Sequence, residues 1–163
     1  FPEAAQIVRI MPNLPAALGK GVIAIHGTDG PDDETCALMA PLGLVEWIDD
    51  EGLLHLVAAL AASGPAFLYR FIDALGIAGA RLGLAPDQSA RLALAMVEGS
   101  AMLAAQSGEA PAMLADRVAS KGGMTREGLD VLDADEALVR LLTDTLAAAE
   151  KRSAEMGDAA RRT

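Results

Sequence analysis

"PAFLYRFIDALGIAGARLGL", Pro65 to Leu84, sets the architecture of this chain. A proline in the first turn of a helix gives up a backbone donor that the helix start leaves unpaired anyway. Behind it Leu68, Phe71, Ile72, Leu75, Gly79 and Leu82 recur every three or four residues, while Arg70, Asp73 and Arg81 fall largely off that stripe. The spacing predicts a long amphipathic helix. Ser63, just ahead of the proline, has the residue type of an N-cap. Pro86 opens a second helix that runs to about Gln106 and stops at Gly108. Its stripe is Leu92, Ala95, Met96, Gly99, Met102 and Leu103, and the small residues Ala95 and Gly99 let two backbones approach closely.

Helical spacing continues on both sides. Upstream, "DDEGLLHLVAAL" from Asp49 reads as a short helix. Downstream, "PAMLADRVAS" (Pro111–Ser120) and "TREGLDVLDA" (Thr125–Ala134) read as two more, on either side of the turn "SKGGMT". A last helix carries Leu138, Leu141, Leu142, Thr145, Leu146 and Ala149 and ends near Gly157, leaving "DAARRT" as a polar, frayed tail. Few charges interrupt the wide apolar faces of these helices, so a helical dimer that buries them is expected.

Residues 1–48 have another texture. "AQIVRIM" (Ala5–Met11) and "GVIAIHG" (Gly21–Gly27) are β-rich and bounded by Pro and Gly, so they read as strands, with "LVEWI" (Leu44–Ile48) a third. Between them "PDDETCALMAPLG" reads as a helix with acidic residues in its first turn. Three short strands and one helix make a poor core alone. They read as the end of a sheet whose beginning is missing, and a start at Phe1 rather than Met fits a piece of something longer. The organisation expected is residues 1–48 as the end of a nucleotide-binding domain, 49–157 as an all-helical domain and 158–163 as tail.

Composition narrows the function classes. Of 163 residues 52% are apolar and only 3% aromatic, with Ala and Leu dominant, which leans to an all-α body. A net charge of −10 opposes binding to nucleic acid or to an anionic membrane. The longest apolar stretch, near Leu56–Tyr69, is interrupted by Ser63, Gly64 and Pro65, which predicts no membrane span. A single cysteine, Cys36, permits no intrachain disulfide and fits a reduced, cytoplasmic setting. Without a basic neighbour it reads as a small hydrophobe.

His26 and His55 are too isolated for a metal site, and the acidic runs Asp32–Glu34 and Asp49–Glu51 suit helix N-termini better than cations. No metal is expected. "GKGVIA" (Gly19–Ala24) fits G-x-G-x-x-A, but that cradle needs a helix after it and here a strand follows. "SKGGMT" (Ser120–Thr125) leaves two readings open. Paired glycines make a plain turn, or they let successive N–H groups converge on an anion at a helix mouth.

Taken together, the segments bear a resemblance. "VRIMPNLPAALGKG" resembles the R-x-M-P-N-T-P stretch of the pyrroline-5-carboxylate reductase family. "VAALAASGPAFLYRFIDAL" is similar to its T-A-x-S-G-S-G-P-A-Y helix start, and "RVASKGGMTREGLDVL" to its V-T-S-P-G-G-T-T-x-x-G-L loop, in the same order and separation. The resemblance implies a mainly α fold: a helical dimerisation domain (6-phosphogluconate dehydrogenase C-terminal-like) behind a short β-containing remnant of a Rossmann domain. It implies reduction of 1-pyrroline-5-carboxylate to L-proline with NADPH or NADH, whose main site lies upstream of Phe1, in a homodimer or an oligomer of dimers. Carried onto this chain, Thr125 is the catalytic hydrogen-bond donor to the substrate ring nitrogen. Ser120 and the amides of Gly122, Gly123 and Met124 hold the substrate carboxylate, and Asn13 lies in the segment facing the nicotinamide. The departures are Leu14, Ala61, Ala62, Lys121 and Met124, where the family has Thr, Ser, Gly, Pro and Thr. They leave a related imine or keto reductase, or a helical module without chemistry, as rival expectations.

Overall fold

Gly21–Gly27 (β2) holds the best-buried residues of the chain. The computed structural model describes residues 6–161. In it Ile23, Ala24 and Ile25 are 0% exposed, and burying each isoleucine contributes about 1.5–3 kcal/mol. β2 is central in a three-stranded sheet, antiparallel to Val8–Met11 (β1) and parallel to Gly43–Trp47 (β3). The helix Asp33–Met39 (α1) lies between the parallel strands in sequence, as a crossover must. Asp32 caps it, accepting from the amides of Glu34 and Thr35. The Thr35 hydroxyl also donates to Asp32 and is the chief reason its carboxyl is held below the usual aspartate range. Gly43 has φ +142, and a Cβ there would lie 2.1 Å from the Gly21 carbonyl oxygen, so the glycine is obligatory. The strand expected from Ala5 is seen from Val8; Ala5 lies outside the described residues.

The helical part corrects one expectation at its start. Ser63 does not cap a new helix. It has helical φ/ψ of −86 and −23, and its backbone carbonyl accepts from Ala66 and Phe67. The chain runs from a 3-10 turn at Glu51–Leu53 through Leu54–Val57 (α2) and a π turn at Ala58–Ala62 into Gly64–Arg81 (α3). The π turn is marked by the Ser63 amide reaching back to Ala58 at 3.0 Å. Pro65 explains it. Four residues after Ala61, proline has no N–H for the Ala61 carbonyl, and its ring crowds an ordinary turn. Asn13 Nδ2 supplies the missing donor at 2.9 Å. The apolar run is therefore not cut at Ser63–Pro65. Glu51–Arg81 is a single helix of 31 residues, long and apolar enough to cross a membrane by length and composition.

Gly79 and Gly76 bring α3 against Pro86–Ser107 (α4). A Cβ on Gly76 would lie 3.3 Å from Ala90 Cα, and Ser89, 3% exposed, donates its hydroxyl to the Gly76 carbonyl at 2.8 Å. Within the chain the close approach falls at Gly76 and Gly79, and Gly99 faces open space. Pro111–Val118 (α5), Met124–Asp133 (α6) and Ala137–Arg161 (α7) follow. α7 passes Gly157 and stays helical through 161, so the frayed tail expected from 158 is not seen there. Gly157 is a contact rather than a stop: a Cβ there would lie 3.2 Å from His55 Cε1, and His55 Nδ1 bonds Ser153 Oγ at 3.0 Å.

Two compact units divide the described residues: one up to Phe67 together with those from Thr143 on, and the other Leu68–Leu142. Within them the expected stripes stay partly uncovered: Ile72 and Leu75 are half-buried. Leu68 and Phe71 are 44% exposed, Leu82 89% and Leu103 62%.

Candidate functional site

The loop between α5 and α6 is built to leave donors free. Gly123 is the N-cap of α6, with φ −86 and ψ 160, and as glycine it offers no side-chain cap. A helix start has four amides without intrahelical partners. Here the Gly123 amide donates to the Ser120 carbonyl at 3.0 Å, closing a turn with Gly122 at φ +71, and Glu127 reaches back to Gly123. The amides of Met124, Thr125 and Arg126 point out of the first turn with no acceptor among the described residues. The positive end of the α6 dipole lies there too, so the mouth favours an anion in a chain that is acidic overall.

Hydroxyls border this mouth. Ser120 is exposed and Thr125 half-buried, and neither side chain bonds another group among the described residues. Ser120 Oγ lies 2.5 Å from where a Cβ on Gly123 would stand, so the second glycine makes room for the serine. Lys121 is exposed without an ion pair among the described residues, and Met124 is 92% exposed. Sequence reading missed the brace across the loop: Arg126 Nη2 meets Asp116 Oδ1 at 2.7 Å, tying α6 to α5. That hydrogen bond is the main cause raising the Arg126 pKa above its ordinary value. Ten residues of separation with a turn between gives no periodic signal to read.

Ser120, Gly122, Met124 and Thr125 lie side by side along this loop, while the Gly123 amide is engaged within the turn. Asn13 belongs to the other unit. Its Oδ1 accepts from the Val22 amide and its Nδ2 donates to the Ala61 carbonyl, both at 2.9 Å. His26 Nδ1 lies 2.7 Å from the Ile48 carbonyl. Cys36 is free and only half-buried, more open than a small core hydrophobe. A groove of about 640 Å³ lies between α3 and α4, is mostly apolar, and includes neither Thr125 nor Asn13.

A mainly helical body with exposed apolar faces, a short mixed sheet ahead of it and an uncapped helix mouth define a helical dimerisation domain behind a Rossmann remnant. The family model described as pyrroline-5-carboxylate reductase dimerisation matches residues 51–156. The chain belongs to the pyrroline-5-carboxylate reductase family. It is 35% identical over 158 residues to the Pseudomonas aeruginosa enzyme, covering 93% of this chain and 57% of that one. With the Aquifex aeolicus enzyme it shares 40% over 132 residues, 78% of this chain and 49% of the relative. Among solved structures, the Coxiella burnetii pyrroline-5-carboxylate reductase superposes with a TM-score of 0.84 at 32% identity, over 94% of this chain and 58% of that one. The Plasmodium falciparum pyrroline carboxylate reductase with NADP bound gives 0.77 at 27%, over 95% and 60%. The chain spans about half the length of the curated relatives it matches.

Proposed function

We propose that the intact protein reduces 1-pyrroline-5-carboxylate to L-proline with NADPH or NADH, and that this chain supplies the substrate cradle and the dimer-forming helices. The uncapped N-terminus of α6, flanked by the free hydroxyls of Ser120 and Thr125, carries the reading. The substrate carboxylate sits on the outward amides of α6 with Gly122, Met124 and Ser120. Thr125 Oγ1 donates to the ring nitrogen, so the imine carbon is electron-poor when hydride arrives, and a hydroxyl does this without becoming a nucleophile. The nicotinamide supplies that hydride when bound. This chain carries only an edge of its site: the turn around Asn13, since Gly21 of the glycine-rich "GKGVIA" opens a strand.

On the same reading, residues 1–48 are the end of the nucleotide-binding domain and 49–157 the helical domain, with 158–163 a polar end that continues the last helix through 161. The exposed faces of α3 and α4 are covered by a second copy, and pairs of chains build larger assemblies in the cytoplasm. The 163 residues alone do not turn over. Oxidation of NAD(P)H by the full-length protein with the imine is the test, and no turnover with either cofactor overturns the proposal. Lys121 and the 92% exposed Met124 at the cradle favour a second reading, a related imine or keto substrate. Inhibition by proline supports the first reading; its absence in an active enzyme supports the second.

A further inference from the structure

Asn13 is the side chain whose geometry reaches furthest beyond that reading. Its two bonds fix its orientation. The Val22 amide can only donate, so it faces Oδ1, and the Ala61 carbonyl can only accept, so it faces Nδ2. Both bonds are 2.9 Å long and partly buried, and they tie the turn after β1 to the start of β2 and to a carbonyl 48 residues away. That carbonyl is available because Pro65 has no N–H to give it, and the Ala66 amide is already bonded to Ser63. Proline opens the bond, the π turn presents it, and asparagine closes it.

We infer that Asn13 is a positioning residue: through the Ala61 carbonyl of the π turn it pins the Met11–Leu14 turn to the helix start, and so sets where the nicotinamide meets the protein. This rests on the proposed reading that the turn faces the cofactor. Asn13 acts by holding the backbone in place, with its amide oxygen and one amide hydrogen already engaged inside the fold.

The consequence separates two roles that are usually entangled. If Asn13 merely satisfies a buried carbonyl, any donor will do. Pro65→Ala puts an N–H four residues after Ala61, where an ordinary helical bond forms. In the full-length enzyme Asn13→Ala is expected to lower the melting temperature and to reduce kcat/KM for the nicotinamide cofactor roughly ten- to hundredfold, as misplacement of reacting groups does. Adding Pro65→Ala is expected to restore much of the melting temperature and leave kcat/KM low, because the turn stays untethered. Asn13→Asp is the second variant. It keeps the bond from Val22, sets an oxygen against the Ala61 carbonyl, and is expected to lose cofactor efficiency in the same way if Asn13→Ala does not fold. Recovery of kcat/KM along with stability in the double variant overturns the inference, as does Asn13→Ala or Asn13→Asp with unchanged kinetics. A wild type inactive with both cofactors overturns the underlying reading instead.

Discussion

One added methyl group at Gly79 tests how α3 and α4 are held. A Cβ there would stand 2.3 Å from Ser89 Oγ and 3.4 Å from Leu84 Cδ1. Ser89 is 3% exposed, and its hydroxyl is bonded to the Gly76 carbonyl at 2.8 Å. In Gly79→Ala that hydroxyl has to swing away, which leaves a buried polar group unpaired at a cost of about 1–3 kcal/mol. An off-rotamer serine adds about 1 kcal/mol. Against this, alanine stabilises a helix interior by about 1 kcal/mol relative to glycine. The net expectation is a loss of about 1–3 kcal/mol, read by urea unfolding followed by circular dichroism. Removing the hydroxyl should reverse the sign. In a Ser89→Ala background the nearest serine-derived atom is Cβ at 3.5 Å, so Gly79→Ala should then stabilise by up to about 1 kcal/mol. A neutral or stabilising Gly79→Ala in the wild-type background refutes the reasoning. So does an equal loss in both backgrounds.

Thr125→Ala in the full-length enzyme is expected to lower kcat roughly 10²–10³-fold with little change in melting temperature, since the hydroxyl bonds no group among the described residues; unchanged turnover removes Thr125 from the chemistry. Gly123→Ala places a Cβ 2.5 Å from Ser120 Oγ, and steady-state kinetics should show a raised KM for the imine. Asp32 gives a pH dependence. Its carboxyl is depressed in the fold chiefly by the Thr35 hydroxyl, so its contribution is present above the unfolded aspartate value of about 3.9 and is lost as pH falls through the lower native value. Melting temperatures of wild type and Thr35→Ala should therefore converge as the pH is taken from 6 into that acid range. Light scattering should give a dimer of the 16.8 kDa chain; a monomer at micromolar concentration argues against covered α3 and α4 faces.

The strands were plain in the sequence because their signals are local. "GVIAIHG" is β-branched, bounded by glycine and buried, and it forms β2 over the residues expected. The helices were equally legible from Pro65, Pro86 and Pro111. The π turn was not. Five residues dominated by alanine show no difference between one turn and another, and Ser63 looks like a cap in any local window. There Pro65 withholds the donor, and the group that replaces it, Asn13, is far away in sequence. The stripes were read correctly as apolar, and Leu68, Phe71 and Leu103 remain exposed within this chain; on the proposed reading a second copy covers them. At the loop, sequence placed Ser120 and Thr125 beside a helix mouth. It did not reveal that the Gly123 amide is engaged or that Arg126 braces the turn, since both follow from the path of the backbone.

The burial of Ile23, Ala24 and Ile25 has a consequence for anyone watching this chain in deuterated water. These residues sit in a strand paired with β3 over Gly21–Ile25 and with β1 over Ala24–Gly27, so the amide protons of this buried segment can leave only when the sheet itself opens. The helix faces, by contrast, border solvent along much of their length. A spectrum recorded hours after transfer should fade to a short block of signals from one seven-residue strand, an internal clock against which every other opening in the chain can be timed.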